Sequence, residues 1–140
     1  MKLKLSQPLV SKIYQQLVNH KLFNKSVKFG LKRIKLALSL LGNPERKLNN
    51  VISVLGESGK FTTLFSLKSF IEANNQKVTA HISPSLRDIR ERFYMGNEYL
   101  THKEIKKTIK QIEKLNIPLT IFECLTLVYI LNASKKNANY

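Results

Sequence analysis

The sequence has a single cysteine, no tryptophan, five glycines, four prolines and only nine acidic residues against 24 lysines and arginines in 140. One thiol, Cys124, excludes a disulfide scaffold and points to a reducing compartment. No apolar run reaches the ~20 residues needed to span a bilayer. The start, MKLKLSQPLVSKIYQQ, has a basic tip, but Gln7, Ser11 and Lys12 interrupt any apolar leader core. Internal repeats and low-complexity stretches are missing too. At 43% hydrophobic residues in distinct segments, disorder is excluded and one core can be buried. These limits describe a soluble, cytoplasmic protein of one domain, or part of a larger one.

The net charge is +15, which invites a nucleic-acid reading. Its distribution argues otherwise. Residues 1–50 carry +10, residues 51–100 only +1 and residues 101–140 +4. Arginine, the usual reader of base edges, occurs only at 33, 46, 87, 90 and 92. A solvated lysine surface accounts for most of the excess. Phe93 and Tyr94 beside Arg87, Arg90 and Arg92 keep a single-strand-binding alternative open.

Apolar spacing predicts an amphipathic helix in PLVSKIYQQLVNHK through Leu9, Val10, Ile13, Leu17 and Val18. A second is predicted over 29–41, with Leu31, Ile34, Leu38 and Leu41 on one face, stopped by Gly42-Asn43-Pro44. Val51–Leu55 is short, apolar and β-branched, the pattern of a strand buried on both faces of a parallel sheet. A glycine turn and a helix over about 62–73 follow, then a strand over 77–82, which makes a βαβ unit. Residues 83–92 form a loop, and a short extended piece over 93–95 turns at Gly96-Asn97. Thr101 with Glu104 reads as a capping box for a helix to about 115. Residues 119–133 are apolar on nearly every side and read as a buried helix.

The chemistry-bearing signal is the turn Gly56-Glu57-Ser58-Gly59-Lys60-Phe61-Thr62-Thr63. Glycines allow positive φ and close approach of phosphate oxygens. The N–H groups and dipole of the following helix attract the anion. Lys60 can reach terminal phosphates, and the hydroxyl of Thr62 or Thr63 can hold Mg²⁺. The strict phosphate-loop pattern is not met, because Val54 stands at its first glycine and Phe61 follows the lysine. Alone, the turn suits a nucleotide site or an ordinary strand-to-helix connection equally.

Four segments taken together resemble one family. VISVLGESGKFTT resembles the shortened phosphate loop of the Mur ligase superfamily, specifically folylpolyglutamate synthase/dihydrofolate synthase. FGLKRIKLALSLLGNPERKL, HISPSLRDIRERFYMGNEYLTHKEI and LTIFECLTLVYIL are similar to three further motifs of that family, in the same order. The resemblance implies ATP phosphates at residues 56–63, with Lys60 catalytic. It implies Mg²⁺ ligands at Thr62, Ser83 and Glu123, and folate contacts at Gly30, Leu31, Lys32 and Arg33. Arg92 matches the arginine of the family's Glu-Arg pair. Glu123 also stands out chemically, as the only ionisable side chain between Lys114 and Lys135 apart from Cys124 and Tyr129. An ionised carboxylate in an apolar helix needs a cation or hydrogen bonds, so a metal, a lysine partner or a narrow exposed stripe would each account for it.

Three residues depart from the family pattern. Glu57 brings negative charge to a loop meant for phosphate, Phe61 brings bulk, and Ser85 replaces a histidine. The family is roughly three times as long and carries a separate C-terminal domain. His20, His81 and His102 have no metal-site spacing, and Cys124 has no catalytic partners, which suits a buried thiol.

The resulting expectation is an α/β fold: a partial P-loop-like parallel sheet with N-terminal helices. Residues 1–48 form a helical lead-in, and residues 49–140 the phosphate-loop unit, the Ser-Pro loop and the Glu123 helix. The implied function is the front portion of an ATP-dependent ligase that joins L-glutamate to folate or dihydropteroate through an acyl phosphate. The whole enzyme is expected to be monomeric, with neither nucleic acid nor membrane as partner. The piece alone is expected to be inactive. A degenerate, non-catalytic relative and, further off, a basic nucleic-acid module are the rival readings.

Overall fold

A computed structural model describes residues 10–21, 23, 30–85 and 87–140. The expected contributions of Leu9 and Phe29 lie outside the described residues.

The centre of the fold is a pair of helices, α4 (His102–Glu113) and α5 (Ile121–Ala133). In α4, Ile105, Ile109 and Ile112 recur at three- and four-residue spacing and are buried with Thr108, while lysines take the outer face. The predicted capping box forms. Thr101 Oγ1 accepts from the Glu104 N–H at 3.2 Å, and Glu104 Oε2 accepts from the Thr101 N–H at 2.8 Å. In α5, Leu125, Leu127 and Val128 are fully buried, which confirms the interior helix read from the sequence. Asn132, inside this apolar helix, donates to Thr108 Oγ1 (3.0 Å) and to the Val128 carbonyl (2.8 Å). The N–H₂ group of this half-buried side chain is thereby satisfied.

Two shorter helices cover this pair. Helix α1 (Val10–Val18) buries Ile13 and Leu17. Helix α2 (Lys32–Leu40) sets a fully buried Ala37 in the core and packs on α5. Ile34, Leu38 and Leu41 are partly buried as expected, but Leu31 is exposed. Leu31 precedes the helix proper, so its side chain is not carried onto the packed stripe. Asn43, at φ 52°, ends the helix, and Pro44 opens a 3-10 turn to Lys47.

The sheet is smaller than expected, and antiparallel. β1 (Ala80–His81) pairs with β2 (Phe93–Tyr94), with Ala80 opposite Tyr94 and His81 opposite Phe93. The connection contains a cis Ser83–Pro84 bond and a 3-10 turn, Ile89–Arg92. Gly96 and Asn97 both have positive φ and form the predicted turn.

Residues 51–55 correct the sequence reading. They are not a buried strand: Val51, Ile52 and Leu55 are 72%, 51% and 89% exposed. A strand exists only through hydrogen bonds to a neighbour, and among the described residues nothing pairs with this segment. Helix α3 (Lys60–Ala73) follows and has no fully buried residue. Leu64 and Ile71 pack against the small cluster of Val78, Ala80 and Tyr94. Glu72 ties this helix to the sheet by accepting from Tyr94 Oη, and it also accepts from Lys68, one turn back in α3, at 2.8 Å.

Candidate functional site

The loop before α3 has the backbone that the sequence implies. Gly56 and Gly59 sit at φ 148° and 75°, in the region that side-chain-bearing residues avoid. A Cβ on Gly59 would meet nothing within 4 Å, so conformation and not space demands glycine there. Gly59 stands at the N-cap of α3 and no side chain caps the helix. The first-turn N–H groups are therefore open to an anion. Lys60 folds back over the loop, donating to the Gly56 carbonyl and, at 2.8 Å, to the Glu57 carbonyl. Glu57, Ser58, Thr62 and Thr63 are exposed. Phe61 does not crowd the loop: it is exposed, and its ring stacks along the helix on Phe65 with centroids 4.3 Å apart.

Glu123 sits in the first turn of α5 and is buried. Its Oε2 accepts from the Thr120 N–H at 2.7 Å, and Thr120 Oγ1 accepts from the Glu123 N–H at 3.1 Å. This is a second capping box. Arg33 then closes on the same carboxylate, Nε to Oε2 at 3.2 Å and a terminal nitrogen to Oε1 at 3.1 Å. The carboxylate is therefore held by a bidentate arginine, not by a lysine and not on an exposed stripe. The residues assigned to folate and to metal, Arg33 and Glu123, meet directly. Gly30, Leu31 and Lys32 are exposed beside them in sequence. The T-x-x-E signal at Thr120–Glu123 was present in the sequence, whereas nothing local marks Arg33 as the partner.

Ser83 lies in a separate group. Buried Arg92 donates to Ser83 Oγ at 3.1 Å and to Ser85 Oγ at 3.4 Å. Burial lowers the Arg92 pKa, although the guanidinium stays charged at neutral pH. His81 stacks between Phe93 and Tyr129, with centroids 5.6 and 5.2 Å away. Its Nδ1 lies 2.9 Å from the Arg92 carbonyl. A carbonyl only accepts, so Nδ1 carries the proton. Burial pushes the His81 pKa down, and the ring is neutral. Cys124 is fully buried, and burial drives its pKa up, so it is a structural thiol.

Thr62, Ser83 and Glu123 offer hard oxygen donors of the kind Mg²⁺ takes. Two of them are already engaged by arginines. Among the described residues no three His, Cys, Asp or Glu side chains gather into a metal cluster. No described helix is long and apolar enough to cross a membrane.

No protein-family model matches the chain, and no curated protein does. Solved structures do. Helices around a small sheet, with a glycine loop opening α3, are the front part of a Mur-ligase-type fold. Within that class the likeness is to folylpolyglutamate synthase. The Thermotoga maritima folylpolyglutamate synthase superposes with TM-score 0.77 at 26% identity, covering 91% of this chain and 31% of its own. The bifunctional folylpolyglutamate synthase/dihydrofolate synthase of Yersinia pestis, complexed with AMPPNP and a Mn ion, gives 0.78 at 26%, covering 94% and 32%. The Helicobacter pylori folylpolyglutamate synthetase gives 0.67 at 24%, covering 83% and 31%. The chain thus spans about a third of the length of each.

Proposed function

We propose that residues 56–63 bind the phosphates of ATP within a ligase of the folylpolyglutamate synthase type, which joins L-glutamate to folate or dihydropteroate. The observation that carries this reading is the loop itself. Two glycines at positive φ open onto an uncapped helix start, and Lys60 is folded over them. Leaving the two loop carbonyls for phosphate oxygens would let the ammonium neutralise charge on the nucleotide. Thr62, Ser83 and Glu123 would hold Mg²⁺, which when bound supplies further charge neutralisation at the phosphate oxygens. The Mn ion and AMPPNP bound by the Yersinia pestis enzyme support a divalent metal with a nucleotide. Gly30, Leu31, Lys32 and Arg33 are proposed to face the folate. We assign the protein to the cytoplasm, acting as a monomer in its whole form.

Titration with Mg-ATP tests this. Protection of the amides of residues 56–63 against hydrogen exchange is expected, and Lys60→Ala should weaken binding by about tenfold or more, since it removes a charge-assisted contact. Absence of binding at millimolar nucleotide overturns the reading. One observation favours a second reading, a relative that keeps the fold without turnover: the Glu123 carboxylate is already satisfied by Arg33 and Thr120. Nucleotide binding without a Mn²⁺ signal at Glu123 would support it.

A further inference from the structure

The loop that opens α3 has no net side-chain charge, although the chain as a whole carries +15. Between Asn50 and Lys68 only Glu57 and Lys60 are charged, and they cancel. Lys60 gives its ammonium to two loop carbonyls, those of Gly56 and Glu57, and not to the Glu57 carboxylate. A segment shaped to receive phosphate therefore carries an uncompensated negative group of its own.

That carboxylate differs from most others in the chain. Glu72, Asp88, Glu98, Glu104, Glu113 and Glu123 each bond a neighbouring side chain. Glu57 is exposed, and its carboxylate has no hydrogen-bond or ion-pair partner among the described residues. The loop does not need it for its shape. What holds Lys60 is the Glu57 main-chain carbonyl, which any residue would supply. The side chain is left facing water within the loop.

We propose that Glu57 makes nucleotide binding at residues 56–63 conditional on a divalent cation. A carboxylate in so short a loop lies within about one Debye length, ~10 Å at 0.1 M salt, of any anion held there. It repels a metal-free polyphosphate. A divalent cation carried on the phosphate oxygens turns that repulsion into attraction, because Mg²⁺ keeps several waters and takes one or two carboxylates besides phosphate oxygens. Glu123 and Ser83 are already engaged by arginines, whereas the Glu57 oxygens are free to face the cation or its water. Glu57 thus selects metal-loaded over metal-free triphosphate. This deepens the proposed phosphate site at 56–63 and rests on it.

The test measures ATP affinity calorimetrically at 0.1 M salt, once with EDTA and once with Mg²⁺, for the unaltered chain, Glu57→Gln and Glu57→Asp. The position is exposed, so both variants should fold, and amide protection in α5 checks that they do. The readout is the ratio of the two affinities, which is the coupling between metal and nucleotide. In the unaltered chain Mg²⁺ should tighten binding by about 100-fold. Glu57→Gln should shrink that ratio by about tenfold, mainly by tightening metal-free binding, and Glu57→Asp should keep most of it. An equal ratio in the unaltered chain and Glu57→Gln overturns the proposal and leaves the phosphate site standing, including the case where both affinities change by the same factor. Absence of ATP binding in all three chains, with and without Mg²⁺, overturns the phosphate site and the proposal together.

Discussion

Replacing Arg33 by methionine keeps most of the side chain's bulk and removes the one cation bonded to Glu123 among the described residues. Stripping one partner from a fully buried ion pair costs about 3–5 kcal/mol, and an exposed pair contributes about 0–1. The Arg33 side chain is 24% exposed and that of Glu123 10%, so the pair lies between these limits, nearer the buried one. Glu123 would keep the Thr120 N–H and the favourable end of the α5 dipole, which offsets about 1 kcal/mol. Arg33→Met should therefore cost about 2 kcal/mol, a fall of roughly 6–8 °C in Tm for a chain of this size. Glu123→Gln is the informative second change, because glutamine can keep the capping box while losing the charge. Because it removes one charge of the Arg33–Glu123 pair, it should cost about 1 kcal/mol. The double variant should cost less than the sum, with a coupling of about 1–1.5 kcal/mol in urea denaturation. A coupling below about 0.5 kcal/mol would refute the buried-pair reasoning and make the contact an ordinary surface bridge.

Three other outcomes follow from particular side chains. His81 has a folded pKa held below its unfolded value of 6.5, first by burial and then by the charge of Arg92. The unfolded chain takes up a proton first, so stability should fall as pH drops below about 6.5. His81→Phe should flatten that limb by up to one proton, about 1.4 kcal/mol per pH unit, and an unchanged slope in melts from pH 7 to 5 would refute the assignment. Cys124 should resist a disulfide reagent in the native protein at pH 8 and react on unfolding, and prompt native labelling would contradict its burial. Thr101→Ala removes the α4 cap and should cost about 1 kcal/mol by denaturation, whereas a cost near zero would mean that the bonds to Glu104 add nothing net.

Legibility in the sequence followed the range of the interaction. The isoleucine stripe of α4, the apolar α5, the Thr101–Glu104 box and the Gly96-Asn97 turn all depend on neighbours within a few residues. Each could be read from spacing and turn chemistry. The positive φ of Gly59 and the start of α3 beside it are local in the same way. Burial of Cys124 followed from its apolar surroundings in the chain.

Contacts between distant parts of the chain were another matter. Arg33 reaches Glu123 across 90 positions, and Asn49 and Asn50 reach the tail across 89. No periodicity carries that information, because the partner is set by how α2 lies on α5 and how the tail lies along 77–79. Residues 51–55 show the same division. Their apolar, β-branched composition marks a segment suited to a strand, and the sequence alone determines that much. Whether it is one depends on a neighbour that supplies hydrogen bonds and covers both faces. Only the tertiary structure shows that edge open, with the cleft beside it lined by α3, α5 and the stacked His81.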